Sequence, residues 1–500
     1  MTASHMAWTA LAIYVFITVV LTIRGALRTK GLASFALGSK DIPPAMGGIS
    51  LTAQMTSVAT FVLNPGLVYQ YGISGLLGFG MAAALGITFG LIAFSRRFLT
   101  TGSRIAAFTV PQWIGKRYQS QGLTLLFAVI SLALIAFSVL IVVAIAVCIV
   151  SMLSLNTGST PFSILLCSIV AFFFTYIMLG GVNTHAYTNS IQGIVMLVVA
   201  LILISSGWPL LFKNGGILAS LRAIDPNLVS LTNPASLYFR DFFEVFVCNF
   251  LVGLAIVCQP HIVSKVLYLK SEKQVTPYLL TAIMAGLVFS TVMVVGLFAR
   301  VSLPVSPFLS SHSDLVIPTY IAANFTPLFQ VLITMGLICA GVSTLEGILL
   351  SLLTILSNDI FLPLLSRGNT KESEQVTTGK ALSYGRAALV LTGVVVIWLS
   401  NWQINNPTGG SVVIFGMYGV YLLFTASFFP LSCGMFLPRV TKNAVTAGVI
   451  ASIAVYCATG FFHFTHYSNN PAFLSTAAII AGWTVIGIWQ LKPAAVSVRP

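Results

Sequence analysis

The chain has 500 residues, 57% of them apolar and only 7% charged, where a soluble domain carries about a quarter charged. That excludes a water-soluble globular protein and reads as an integral membrane protein. The formal net charge of +14 is accompanied by no basic arm and no aromatic-basic interleaving, and the seven Cys are scattered with no C-x-x-C; nucleic-acid binding, a cysteine metal site and a disulfide framework are therefore not signalled.

In chain order, apolar windows long enough to cross about 30 Å of hydrocarbon fall at 7–25, 45–72, 74–95, 122–153, 161–179, 189–211, 241–264, 277–302, 328–362, 381–400, 411–433, 443–462 and 472–490. These predict thirteen transmembrane helices in one domain spanning 1–500. The first is not a signal peptide: it has no basic lead and no small-residue cleavage site, and Arg24 follows it as a stop-transfer flank. With the amino terminus outside, all of the 24 Lys and Arg except Lys213, Arg222, Arg240 and Arg300 fall in or beside cytoplasmic segments. The positive-inside rule then predicts a cell-membrane protein with its amino terminus outside and its carboxyl terminus in the cytoplasm. It also accounts for the net charge without nucleic acid.

Helix two carries Ser50-Leu51-Thr52-Ala53-Gln54-Met55-Thr56-Ser57, followed by Asn64-Pro65-Gly66. Polar residues this dense at membrane depth, with a Pro-Gly close behind, predict a discontinuous helix whose freed carbonyls face a cavity. The alternative is a polar seam packed against neighbouring helices. Helix nine carries the matching stretch Ile338-Cys339-Ala340-Gly341-Val342-Ser343-Thr344-Leu345-Glu346-Gly347. A carboxyl and two hydroxyls at this depth point to an ion, a proton or a partner. The hydroxyls could instead bond back to carbonyls four residues earlier. No Lys or Arg is expected in mid-membrane, and His261, beside Lys265, reads as a residue near the cytoplasmic end of its helix.

Several short motifs share an order. Phe35-Ala36-Leu37-Gly38-Ser39-Lys40, Pro65-Gly66-Leu67-Val68-Tyr69-Gln70-Tyr71-Gly72, Gly180-Gly181, Thr188-Asn189-Ser190-Ile191-Gln192, Gln259-Pro260-His261-Ile262, Ser343-Thr344 and Asn358-Asp359-Ile360 follow one another over roughly three hundred residues. Together they resemble the sodium:solute symporters. Gln259-Pro260-His261-Ile262 is similar to the family's proline carriers, and Ala223-Ile224-Asp225-Pro226 and Asp314-Leu315-Val316-Ile317-Pro318-Thr319 to its pantothenate carriers.

The resemblance implies an all-α, LeuT-like core of two inverted five-helix repeats. These fall at 45–210 and 240–433, with peripheral helices in 1–44 and 441–500, and the site lies near the midplane between the repeats. It implies a sodium site made by the carbonyls of Thr52, Met55 and Ala340 and the hydroxyls of Ser343 and Thr344. Gln54, Thr56, Ser57, Asn249 and Gln259 are the candidate solute ligands, with helix packing as the other use for each. Where proline carriers place aromatics, this chain has Val252 and Ile256, which speaks against a proline pocket. Asn189 stands where relatives have Asp, and Glu346 where they often have Ser or Asp, so both are assigned a coupling role.

The function implied is sodium-coupled symport of a small organic solute, a pantothenate-like carboxylate or an amino acid, with sodium as the only cofactor. The alternatives are a proton-coupled carrier of the same fold, or a sensor input module, which would need a partner chain because only about ten residues follow helix thirteen. Catalysis is not expected: ten acidic residues and six His form no H-E-x-x-H or paired intramembrane acid motif.

Overall fold

Residues 3–28, 31–38, 42–153, 155, 159–212, 215–304, 309, 312–368, 374–406 and 412–491 are described by the computed structural model, and all regular structure among them is helical. Helices suit the solvent, because in hydrocarbon each backbone N–H and C=O needs a partner within the chain. The helices of the membrane region are α1 (Ser4–Leu27), α2 (Pro44–Met55), α3 (Ala59–Tyr71), α4 (Ile73–Arg104), α5 (Gln121–Leu153), α6 (Phe162–Leu211) and α7 (Phe243–Ile256). They continue with α8 (Pro260–Tyr268), α9 (Glu272–Ser302), α10 (Pro327–Ser366), α11 (Glu374–Asn405), α12 (Phe415–Phe436), α13 (Lys442–Phe462) and α14 (Pro471–Leu491).

Among the described residues ten helices are long and apolar enough to cross a membrane alone, or twelve spans if the bent pairs α2/α3 and α7/α8 each make one. The difference from thirteen lies in α6, which covers two expected spans in one element of 50 residues. A straight helix of that length would run about 75 Å, far beyond the hydrocarbon thickness. It is interrupted at Gly181, whose backbone is non-helical at φ 60° and ψ −162°. Only glycine serves there: the left-handed φ disfavours a side chain, and a Cβ would lie 2.9 Å from Phe35 Cδ2.

Helix α10 is the axis of the bundle. Every residue from Ile333 to Leu350 is buried, the pattern of a helix that is apolar all round and enclosed by others. It packs on α2, α5, α6 and α8. Pairs α2/α3 and α7/α8 are bent by 61° and 57°, the first at Thr56 (φ −93°, ψ 85°) and the second before Pro260, where Gln259 is extended. The peripheral hairpin α13/α14 is pinned to the start of α7: the Tyr467 hydroxyl donates to Asp241 at 2.5 Å and Asn470 Nδ2 to Glu244 Oε1 at 2.9 Å.

Candidate cation and solute site

The break at Thr56 takes the carbonyls of Ala53 and Gln54 out of the helical ladder. Ser343 Oγ donates to the Ala53 carbonyl at 2.8 Å, and Thr344 Oγ1 to the Gln54 carbonyl at 2.9 Å. The same hydroxyls reach the Ala340 carbonyl at 3.1 and 3.3 Å, so the back-bonding foreseen as the alternative occurs, three residues back for Ser343 and four for Thr344, together with the bridge to α2. Two hydroxyls and three carbonyls thus converge from α2 and α10, and none is charged. Such a set suits a small hard cation held without a carboxylate. The Thr52 carbonyl, by contrast, stays in the ladder, accepting from the Thr56 N–H at 2.9 Å. The carbonyls that touch the hydroxyls therefore lie between Thr52 and Met55, the two foreseen.

Beside these oxygens is a cavity of about 170 Å³, walled by α2/α3, α4, α7/α8, α9 and α12. Thr344, Gln54, Thr56, Ser57, Asn249 and Gln259 all line it, as do Val252 and Ile256. Among the described residues, no Lys, Arg, Asp or Glu lines it. Three buried lining atoms have no protein partner, Gln259 Oε1, His261 Nδ1 and Asn64 Oδ1. Buried polar atoms are seldom left so, and three of them on residues lining one cavity point to a ligand surface. Asn249 is used differently, its amide donating to the carbonyls of Glu244 and Val245 at 2.8 and 3.3 Å.

Behind Gln54, away from the cavity, is a second polar region. Lys265 is only 2% exposed and donates to the Ser50 carbonyl at 2.8 Å and to Gln54 Oε1 at 2.5 Å. Gln54 Nε2 donates to the His261 carbonyl at 2.6 Å, which fixes the amide orientation. His185 Nε2 lies 3.1 Å from the same Gln54 oxygen. Its Nδ1 faces Glu346 Oε2 at 3.1 Å. Glu346 also accepts from Thr188 Oγ1 at 2.7 Å and from Gln192 Nε2 at 2.9 Å. The Asn189 amide, turned as its neighbours require, donates to Glu346 Oε2 at 2.8 Å and accepts from Lys265 Nζ at 3.3 Å. Gly347 makes room for all this: a Cβ there would stand 2.0 Å from Gln54 Nε2.

The profile of the sodium:solute symporter family matches residues 35–452. The chain belongs to this family. Among curated relatives, the sodium/pantothenate symporter of Haemophilus influenzae is 24% identical over 414 residues, 78% of this chain and 81% of the relative. The high-affinity proline transporter of Bacillus subtilis is 24% identical over 467 residues, 90% of this chain and 91% of the relative. A solved substrate-bound, outward-open Na+-coupled sialic acid symporter superposes with a TM-score of 0.75 at 16% identity, covering 97% of this chain and 98% of that one. The transporter Mhp1, of the nucleobase-cation-symport-1 family, gives 0.54 at 12% identity, covering 92% and 94%. At these identities the superpositions speak for the fold, an all-α LeuT-like bundle.

Two readings of this symporter's sequence need correction. Lys265 is buried in the bundle rather than in a cytoplasmic loop, and His261 is enclosed with it at 3% exposure. The apolar window closed at 264 because the chain bends by 57° between α7 and α8; the return stroke brings Lys265 back against α2. His185 belongs to no motif in the sequence, although it lies four residues before Asn189 and therefore on the same helical face. That spacing was the available signal.

Proposed function

We propose that this symporter couples sodium entry to uptake of a small organic solute by alternating access, with a pantothenate-like carboxylate as the favoured class and an amino acid as the second. One observation carries the reading: Ser343 and Thr344 meet the freed Ala53 and Gln54 carbonyls at the edge of a cavity that Thr344 itself lines. Sodium would be held there by the hydroxyls of Ser343 and Thr344 and the carbonyls of Ala53, Gln54 and Ala340, and would supply the one positive charge at the edge of a cavity whose walls carry no charged side chain. Because ion and solute would share a wall, each would raise the other's affinity by the same factor.

The preference among solutes follows from the lining. Gln259 Oε1 and Asn64 Oδ1 are unmet acceptors, and a pantothenate-like acid offers amide and hydroxyl donors to meet them. Val252 and Ile256 provide no aromatic wall. The names of the pantothenate and proline relatives support a small carboxylate. We further propose repeats at 45–210 and 240–433, each opened by one of the two bent spans, and an outside amino terminus. Lys371 and Pro407, on the loops that would report orientation, lie outside the described residues; impermeant labelling of a cysteine near Pro407 from outside, and near Lys371 only after permeabilisation, tests it. For the function, the expected result in proteoliposomes is uptake of a pantothenate-like acid that collapses without an inward sodium gradient. Uptake of no carboxylate or amino acid under any sodium gradient would sink the reading.

A further inference from the structure

Glu346 is wholly buried, and as an ionised carboxylate held by neutral hydrogen-bond donors it still needs a counter-charge. Lys265 is the one Lys or Arg among the described residues that is buried. It reaches Glu346 through two bridges. Asn189 joins Lys265 Nζ to Glu346 Oε2 directly, by contacts of 3.3 and 2.8 Å. Gln54 and His185 make the second, in steps of 2.5, 3.1 and 3.1 Å. A neutral His185 has one ring proton to share between the Gln54 and Glu346 oxygens and brings no charge; the ammonium does.

The cage around that ammonium has a distinctive composition. Its three acceptors are the Ser50 carbonyl, Gln54 Oε1 and Asn189 Oδ1. They match the three protons of an ammonium group in number, and all are oxygens, the ligand type that alkali cations take. With the lysine removed, they and Glu346 would form an oxygen cage with a carboxylate at its edge, one helical turn from Ser343 on α10.

We propose that the Lys265 ammonium is a tethered cation, seated beside Glu346 where a second mobile cation would otherwise bind, and that it holds this symporter to one sodium per solute. The inference rests on the sodium-symport reading. It also gives Lys265 a mechanical place: the residue rides on α8, beyond the 57° bend, so the internal charge ties that half-helix to α2 and α6 while the site is formed.

The test compares wild type with Lys265→Met, Glu346→Gln, the double variant and His185→Gln. Two measurements are made: sodium-dependent thermal stabilisation of the purified protein, whose slope against log sodium reports the number of ions bound, and the reversal potential of solute flux in proteoliposomes. Wild type should bind and move one sodium. Lys265→Met should bind two, with a slope about twice that of wild type. The double variant, with neither charge, should return to one, and His185→Gln should stay at one. Glu346→Gln, which leaves the ammonium unbalanced, should require at least about tenfold more sodium at an unchanged slope.

A wild type that binds two sodium ions, or a Lys265→Met protein with wild-type slope and midpoint, overturns the proposal. So does recruitment of a second sodium by His185→Gln, which would make His185 the counter-charge. If Lys265→Met does not accumulate, the double variant decides: a folded one-sodium carrier supports the pairing, and a double variant equally absent from the membrane overturns it. A wild type with no sodium dependence sinks the symport reading as well, whereas a sodium-dependent wild type with an unresponsive Lys265→Met sinks this inference alone.

Discussion

Gln54 stands between two polar regions that differ in kind. On one side, the cavity has no charged lining residue and leaves Gln259 Oε1, His261 Nδ1 and Asn64 Oδ1 unmet. On the other, Lys265, His185, Asn189, Gln192, Thr188 and Glu346 meet one another's hydrogen-bonding needs across α2, α6, α8 and α10. A satisfied network resists disturbance and fixes helices; an unsatisfied wall waits for a ligand. Substitutions on the two sides should therefore fail differently, the network in stability and the cavity in solute affinity, with the hydroxyl site between them failing in sodium affinity.

The largest effect should come from the network. Glu346→Ala leaves four polar neighbours and one cation uncompensated, and should destabilise the detergent-purified protein by about 3–5 kcal/mol, read as a lowered unfolding midpoint. An unchanged midpoint would mean that the network does not hold the bundle. Next come Ser343→Ala and Thr344→Ala. Each removes one side-chain oxygen and should raise the sodium concentration for half-maximal uptake by roughly ten- to a hundredfold, about 1–3 kcal/mol, at near-normal membrane levels. If both leave sodium dependence untouched, the cation is held elsewhere.

On the cavity side, Gln259→Leu deletes an amide whose oxygen has no protein partner. It should raise the solute KM by about tenfold while sodium dependence and unfolding midpoint stay put; a large stability loss instead would place Gln259 among the structural residues. The smallest effect should follow Tyr14→Phe on α1. That hydroxyl accepts from Gln192 Nε2 at 2.9 Å, and its loss should lower stability by about 0.5–1.5 kcal/mol without changing transport. A transport defect larger than the stability loss explains would draw α1 into the working site.

The sequence was informative where polarity interrupts an apolar run. Ser50 to Ser57 and Ile338 to Gly347 stand out because neither hydroxyls nor a carboxyl belong at that depth without partners, and the two stretches do meet. The link between Glu346 and Asn189 could also be read, since both depart from the motifs around them. Backbone register was less legible: which carbonyls face Ser343 and Thr344 depends on where α2 breaks, and Thr56 ends it so as to free Ala53 and Gln54. Lys265 was hidden for a geometrical reason. Hydropathy reads a chain as though spans were straight, and a positively charged residue after an apolar window looks like a loop until the bend folds it inward.

The Glu346 network also has a direction in time. Tyr14, Gln54, His185, Thr188, Asn189, Gln192 and Lys265 all precede residue 346 in the chain, and chains are synthesised and assembled from the amino terminus. When α10 leaves the ribosome, each group that receives its carboxyl has already been made, so the most costly side chain in that helix arrives at a reception prepared in advance. Reversing the order, by a circular permutation that places α10 ahead of α6, would send Glu346 into the bilayer with no partner waiting.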